Sequence, residues 1–522
     1  MRNPSLMALP LLTLALITGC GTQVPSNLNL DVEANALSGY INSGEVWKDT
    51  AGNTIEAHGG GMIKVGSKYY WIGEDKSHNS SLFKGVNCYS STDLKNWTFE
   101  KAIFTPGAVT TSEIVERPKI VFNNTTNKYV MYFHHDSSNY GFAHVGIATS
   151  DTVCGTYTYV KSFRPLGHAS RDMTLFKDDD GTGYLIASTD MNNPLRIFKL
   201  TPDYMDVAQE VISMDGSWIN NRESPAIFKR NGKYYLMTSQ TTGWGTNNNH
   251  YEYATSLAGP WTSPEYFAPT STNTWDSQTT YVLTVQGTSG TTYLYMGDRW
   301  KGPNDLARST YVWQPLTFNG DIPSLDSDTP FAIDTATGTN SKTLLKFDDY
   351  ESWSAPNWTA LSGNWSVQQP GGRSREYQQG NGYGAHITTT GQTTWKDYVV
   401  ESYVYSDNQY GSIGLLGRVQ NATNFYQLEL KRTGSGNTWN IYKNLNGNWT
   451  LIATGPFDFS AGTWYGLRFE MKGTALKAYV ADWYGWNLLG GGTDSSFTQG
   501  KAGLRTDNQA GSFDLTKIYL KK

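Results

Sequence analysis

The sequence predicts an all-β protein, a five-bladed β-propeller followed by a β-sandwich. Three observations predict it. A strand–turn–strand motif headed by a polar residue occurs five times at a near-constant interval. Glycine (53), tyrosine (33) and tryptophan (18) are abundant, as in chains of many short strands and tight turns with ring-lined surfaces. No apolar pattern of 3.6-residue period is sustained, so long helices are not expected. At 522 residues the chain exceeds one ordinary core, and two or three domains are expected.

Residues 1–20 form a targeting segment. Arg2 gives a weak positive start, and Leu6 to Ile17 is a mostly apolar run too short to cross a bilayer. It ends Leu16-Ile17-Thr18-Gly19-Cys20, which resembles a bacterial lipoprotein box. The resemblance implies cleavage before Cys20 and lipid on its sulfur, with a plain secretory signal as the alternative. The expected location is a bacterial cell envelope, lipid-anchored, facing periplasm or exterior. Residues 21–36 are small and polar and read as a tether. Net charge is −5 and no basic patch is present, so nucleic acid is not an expected partner. Neither Cys88 nor Cys154 has metal-site spacing. Two buried free thiols are expected, with one disulfide as the alternative.

The five repeats run EAHGGGMIKVGSKYYWIG from Glu56, VERPKIVFNNTTNKYVMYFHH from Val115, SRDMTLFKDDDGTGYLIAS from Ser170, NRESPAIFKRNGKYYLM from Asn221 and DSQTTYVLTVQGTSGTTYLYMGDRW from Asp276. Their leading residues are His58, Glu116, Asp172, Glu223 and Gln278, separated by 58, 56, 51 and 55 residues. A period near 55 with about four strands per unit is that of a propeller blade. The propeller is expected over residues 37–335 and a linker over 336–342. Inner strands of all blades start at one end of the axis, so the five leading residues are expected to ring one pocket.

Three carboxylates in one pocket cannot all ionise freely, and burial with like charge raises at least one pKa. Such a group serves as general acid in glycoside hydrolysis. An inverting enzyme also needs a base roughly 6.5–9.5 Å away with water between. The five-blade pattern ending GDRW (Gly297 to Trp300) is similar to glycoside hydrolase family 43. The stretches EAHGGGMI, ERPKIVFN, SRDMTLFKDDDG and RESPAIFK resemble its exo-β-1,3-galactanase branch over about residues 36–335. The resemblance implies an inverting enzyme releasing galactose from β-1,3-galactan, the backbone of type II arabinogalactan. It implies Glu223 as general acid, Asp172 as the acidic residue tuning it, Glu116 as a substrate-contacting carboxylate and Gln278 as the group positioning or activating water. The wider family carries an Asp base at the first blade, where Gly59 stands here, and no Asp occurs between Asp49 and Asp75. The galactanase branch shares this absence. A neutral amide is a poor base, so Glu116 acting through a water is the second candidate.

His58 is read as a substrate contact, and Trp244, Trp275 and Trp300 as sugar-stacking candidates, with core packing as the alternative for each. Asp178 to Gly181 has the composition of a calcium loop without its ligand alternation, and a solvated turn is expected. No cofactor is expected, with a structural calcium left open. Residues 343–522 alternate as strands separated by Gly and Asn turns and predict a sandwich. That domain resembles laminin-G or concanavalin-like modules, which implies sugar binding, and Trp483, Tyr484 and Trp486 are its platform candidates. The expected partner is a polysaccharide and the expected state a monomer. Two other functions remain open, a family 43 arabinofuranosidase or xylosidase and a non-catalytic surface glycan-binding lipoprotein.

Overall fold

The computed structural model describes residues 39–214, 221–372, 374–380, 382–483 and 485–522. The leader, the tether, Cys20 and Tyr484 lie outside the described residues. Five antiparallel meanders follow one another in chain order, four of four strands and one of three. Their inner strands are His58–Val65, Glu113–Asn123, Ser170–Lys177, Arg222–Arg230 and Gln278–Gln286. Each packs against the next and the fifth against the first, so the ring is a five-bladed propeller.

Local chemistry explains the blades. The inner hairpins of blades 2 to 4 turn at Asn127, Gly181 and Gly232, all at positive φ, where Asn and Gly meet the least resistance. Apolar side chains of adjacent blades interleave. Trp71, Trp97, Tyr311 and Trp313 fill the seam between blades 5 and 1. That seam is sealed by the start of the domain. Ile41 bridges Phe331, Gly44 N–H donates to the Tyr311 carbonyl at 2.7 Å, and Trp47 lies edge-on to Trp313 at 4.8 Å.

The expected linker 336–342 is partly structured. Thr339–Lys342 pairs with Phe331–Asp334 in a short ladder that follows the seam. An eight-stranded and a seven-stranded sheet then form a sandwich. Its first strand, Leu344–Asp348, pairs with the last, Gly511–Leu520. Tyr398, Leu415, Tyr426, Leu428 and Phe469 are among the side chains buried between the layers.

Propeller and sandwich meet through buried charge. Lys517 bonds Asp328 at 2.5 Å and Glu401 at 3.0 Å, and Asp328 also binds Arg299 at 3.0 Å. Burial works against the Asp328 charge, but Lys517 and Arg299 hold its carboxyl far below the usual range. Trp275 lies in this interface. It is 6% exposed, its Nε1 donates to the Leu325 carbonyl, and its ring meets Phe347 of the sandwich at 4.7 Å. This corrects its reading as a sugar-stacking residue.

The cysteine expectation is also corrected, since Cys88 and Cys154 form a disulfide. Cys88 is on the third strand of blade 1, and Cys154 follows the third strand of blade 2. Propeller geometry sets these positions side by side, with Cα atoms 5.8 Å apart across 66 residues of sequence. The bond closes a long loop and staples two blades. The Cys88→Ser/Cys154→Ser double variant is expected to lose about 2–4 kcal/mol of stability, read as a lower denaturant midpoint.

Candidate active site

The five leading residues meet at one end of the axis through a shared irregularity. In every blade the ladder between inner and second strand shifts register at or beside the leading residue. A β-bulge of this kind bends the strand and re-aims a side chain. Two bulges are visible as Glu116-Arg117-Pro118 and Glu223-Ser224-Pro225, where proline stands in a position that gives no ladder bond. Gly59, Arg117 and Ser224, each just after a leading residue, take φ of 59, 55 and 53°.

Arg117 is the hub and was not singled out by sequence reasoning. It is 6% exposed. Its Nη2 donates to Gln278 Oε1 at 2.6 Å and pairs with Asp172 Oδ2 at 3.0 Å. Its backbone N–H donates to Glu74 Oε1 at 2.9 Å. Asp172 Oδ2 also accepts from the Ser224 N–H and hydroxyl. Burial opposes its charge, yet Arg117, His134 and Ser224 hold its pKa below the ordinary carboxylate value.

Glu223 behaves oppositely. Burial first, then the Asp172 charge, push its pKa up to about 8 against the pull of Arg117 and a bond from Gln278. Gln278 Nε2 donates to Glu223 Oε1 at 2.9 Å and to Ser239 Oγ at 3.0 Å. Asn192 Nδ2 reaches Glu223 Oε2 at 3.5 Å. Gln278 Oε1 accepts from Arg117 and from Trp300 Nε1, both pure donors, so the amide orientation is fixed and both lone pairs of its oxygen are engaged.

Glu116 has its own cradle. Tyr140 O–H donates to Oε1 at 2.9 Å, His134 Nδ1 is 3.4 Å from Oε2 and Lys76 Nζ is 3.9 Å from Oε1. Burial raises the carboxyl, but His134 and Lys76 outweigh it and keep the pKa lowered. Burial also opposes the imidazolium of His134, yet Asp136 and Glu116 raise its pKa to about 9. Glu116, His134 and Asp172 are the one group of such side chains, among the described residues, with ligand atoms within 4.8 Å of one another. Arg117 and Lys76 already supply positive charge to these carboxylates.

His58 leads its blade but faces the support layer, which corrects its reading as a sugar contact. It is 1% exposed, shares a hydrogen bond with Asp298 Oδ1 at 3.0 Å and stacks on Tyr311. Trp300, 5% exposed, holds Gln278 and meets Trp244 edge-on at 5.0 Å. Lys229 and Tyr234 hold the turn at Asp178 and Asp179. The residues missed by sequence reasoning lie toward the ends of the second strands. Glu74, His134, Ser239 and Asp298 stand opposite His58, Glu116, Glu223 and Gln278. Their signal was a polar residue closing each apolar run, as in WIGE, MYFH, LMTS and YMGD.

Glu74 accounts for glycine at 59. A Cβ there would stand 2.0 Å from Glu74 Oε1, so the Glu74 carboxylate takes up the space beside Gly59. Gly59→Asp is expected to displace Glu74 and cost about 2–4 kcal/mol. Gly66 has φ 61° with open space around it, so Gly66→Ala should cost only about 1 kcal/mol of backbone strain. Equal losses in thermal unfolding would mean that Glu74 does not fill the seat.

Residues 58–322, about half of the chain, match glycosyl hydrolases family 43. The structure is similar to the exo-β-1,3-galactanase of Phanerochaete chrysosporium solved with galactose, at 32% identity and a TM-score of 0.61, covering 92% of this chain and 100% of that one. It is similar to an exo-β-1,3-galactanase from Clostridium thermocellum at 29% identity and a TM-score of 0.54, covering 91% and 99%. Among curated proteins, the extracellular endo-α-(1→5)-L-arabinanase 1 of Bacillus subtilis is 26% identical over 218 residues, 38% of this chain and 65% of that one. The chain thus spans less than two thirds of that relative's length. All five leading residues fall inside the matched region, and the chain belongs to glycosyl hydrolases family 43.

Proposed function

We propose that the protein is an inverting, exo-acting glycoside hydrolase that releases galactose from β-1,3-galactan. One observation carries this over an arabinan or xylan substrate. The first-blade seat of the wider family's Asp is a glycine, the absence that the resemblance to the galactanase branch implies, and here the Glu74 carboxylate stands beside it. Similarity to two exo-β-1,3-galactanases over about nine tenths of the chain supports the same substrate.

Glu223 is the general acid. With a pKa of about 8 it is protonated at neutral pH and can protonate the departing glycosidic oxygen. Asp172, kept ionised by Arg117, maintains that elevation. Glu116 is the base, acting on a bound water. It is ionised and cradled by donors. Gln278 positions and does not abstract, because its oxygen already accepts two bonds. Trp300 holds Gln278 in place, and Trp244 packs edge-on against Trp300. The chemistry runs on these side chains without a cofactor. The mature chain acts as a monomer on envelope-accessible polysaccharide, held by lipid on Cys20.

Galactose released from linear β-1,3-galactan should appear first as the α-anomer by proton NMR, and β-anomer first would exclude inversion. The acid works only when protonated, so kcat/KM should fall as pH rises through about 8. Asp172→Asn removes a like charge and leaves Arg117 less neutralised, both of which lower the Glu223 pKa, so the alkaline limb should move to lower pH. Glu223→Gln should lose about 10³-fold or more in kcat on unactivated galactan. Azide should restore turnover to Glu116→Ala, giving α-galactosyl azide, and rescue of Gln278→Ala instead would transfer the base role to the amide. Pentose release in place of galactose would favour the arabinofuranosidase or xylosidase reading.

A further inference from the structure

The pocket rim continues onto the second domain. Thr246, two residues beyond Trp244, donates to Asp276 Oδ1 at 2.6 Å. Asp276, two residues before Gln278, lies 4.0 Å from Lys301 Nζ through Oδ2. Lys301 follows Trp300, is 8% exposed and donates to the carbonyl of Trp483 at 2.7 Å. Its ammonium stands 5.1 Å from the centre of the Trp483 indole. Trp483 is in the sandwich, at the turn between strands Ala475–Asp482 and Gly485–Thr493, and is 48% exposed. Contacts from Thr246 through Asp276 and Lys301 therefore link the segments that carry Trp244, Gln278 and Trp300 to a half-exposed indole on another domain.

The bond that Glu223 protonates belongs to the sugar that leaves, so the departing chain lies on the Glu223 side of the pocket. Glu223 opens blade 4 and Gln278 opens blade 5. The rim from Trp244 to Trp483 is the rim of these two blades. An exo-acting enzyme encloses one terminal sugar, and the rest of the polymer crosses the rim. A half-exposed indole offers a flat apolar surface that suits the C–H face of a galactose ring. Lys301 helps fix the indole by a cation–π contact and the turn by its carbonyl bond.

We propose that Trp483 forms a distal subsite for the leaving part of a β-1,3-galactan chain, so that the catalytic cleft is completed by the sandwich domain. The proposal rests on the galactanase reading of the pocket. Trp483→Ala, Trp483→Phe and wild-type full-length chains are compared on an aryl β-galactoside, which carries a single sugar and no polymer beyond it, and on linear β-1,3-galactan. Lys301 bonds the main-chain carbonyl, so the alanine variant keeps that link, and thermal unfolding checks the fold. On galactan, Trp483→Ala should raise KM about five- to tenfold at unchanged kcat, the mark of lost uniform binding, with phenylalanine recovering most of it. The aryl substrate should show no change. Equal losses on both substrates, or unchanged KM on the polymer, would overturn the subsite. Absence of galactose release by the wild type from either substrate would instead overturn the galactanase reading, and the subsite with it.

Discussion

A single buried guanidinium sets the geometry on which the pocket depends. Taking a cation out of water is costly unless anions and acceptors surround it. Arg117 therefore gathers the Asp172 carboxylate and the Gln278 oxygen around its guanidinium, while its backbone N–H holds Glu74, residues of three other blades. The gathering has electrical consequences. Arg117, with His134 and Ser224, holds Asp172 charged against burial, and that charge adds to burial in raising the Glu223 pKa. Arg117 also takes one lone pair of Gln278, which turns the amide so that Nε2 faces Glu223. The orientation of the amide thus follows from one side chain, whereas the proton on Glu223 follows from burial and the Asp172 charge, against the pull of Arg117 itself.

The same end of the axis holds two carboxylates in opposite states. Glu223 is buried beside a like charge, and its pKa rises although Gln278 donates to it. Glu116 meets an imidazolium, an ammonium and a phenol, and its pKa falls. Environments that push two titrating groups apart assign acid and base roles. Here the separation is built from the second strands, whose residues opposite the bulges supply His134 to Glu116 and Ser239 to the Gln278–Glu223 pair.

Much of the propeller was legible because each blade repeats one pattern and its leading residue precedes a distinct apolar run. The convergence of Glu116, Asp172, Glu223 and Gln278 follows from that period alone. The supporting layer was harder to read. Glu74, His134 and Asp298 owe their position to cross-strand register, which bulges shift by one residue. Arg117 reads as an ordinary basic residue until its positive φ turns it inward. Trp275 misled because a tryptophan beside a catalytic loop looks the same whether it faces sugar or a second domain, and only the sandwich's Phe347 decides. Cys88 and Cys154 pair across neighbouring blades, a contact that no local pattern encodes.

The seam between the first and last blades has a consequence for biosynthesis. Ile41 and Phe331 must meet before the ring is sealed, so about 330 residues of chain must be made before the propeller can close. Contacts of such sequence separation form slowly and leave strand edges unpaired meanwhile. The late seam keeps the catalytic ring unassembled through most of synthesis, and the sandwich, which begins at Leu344, emerges only after the last blade is complete.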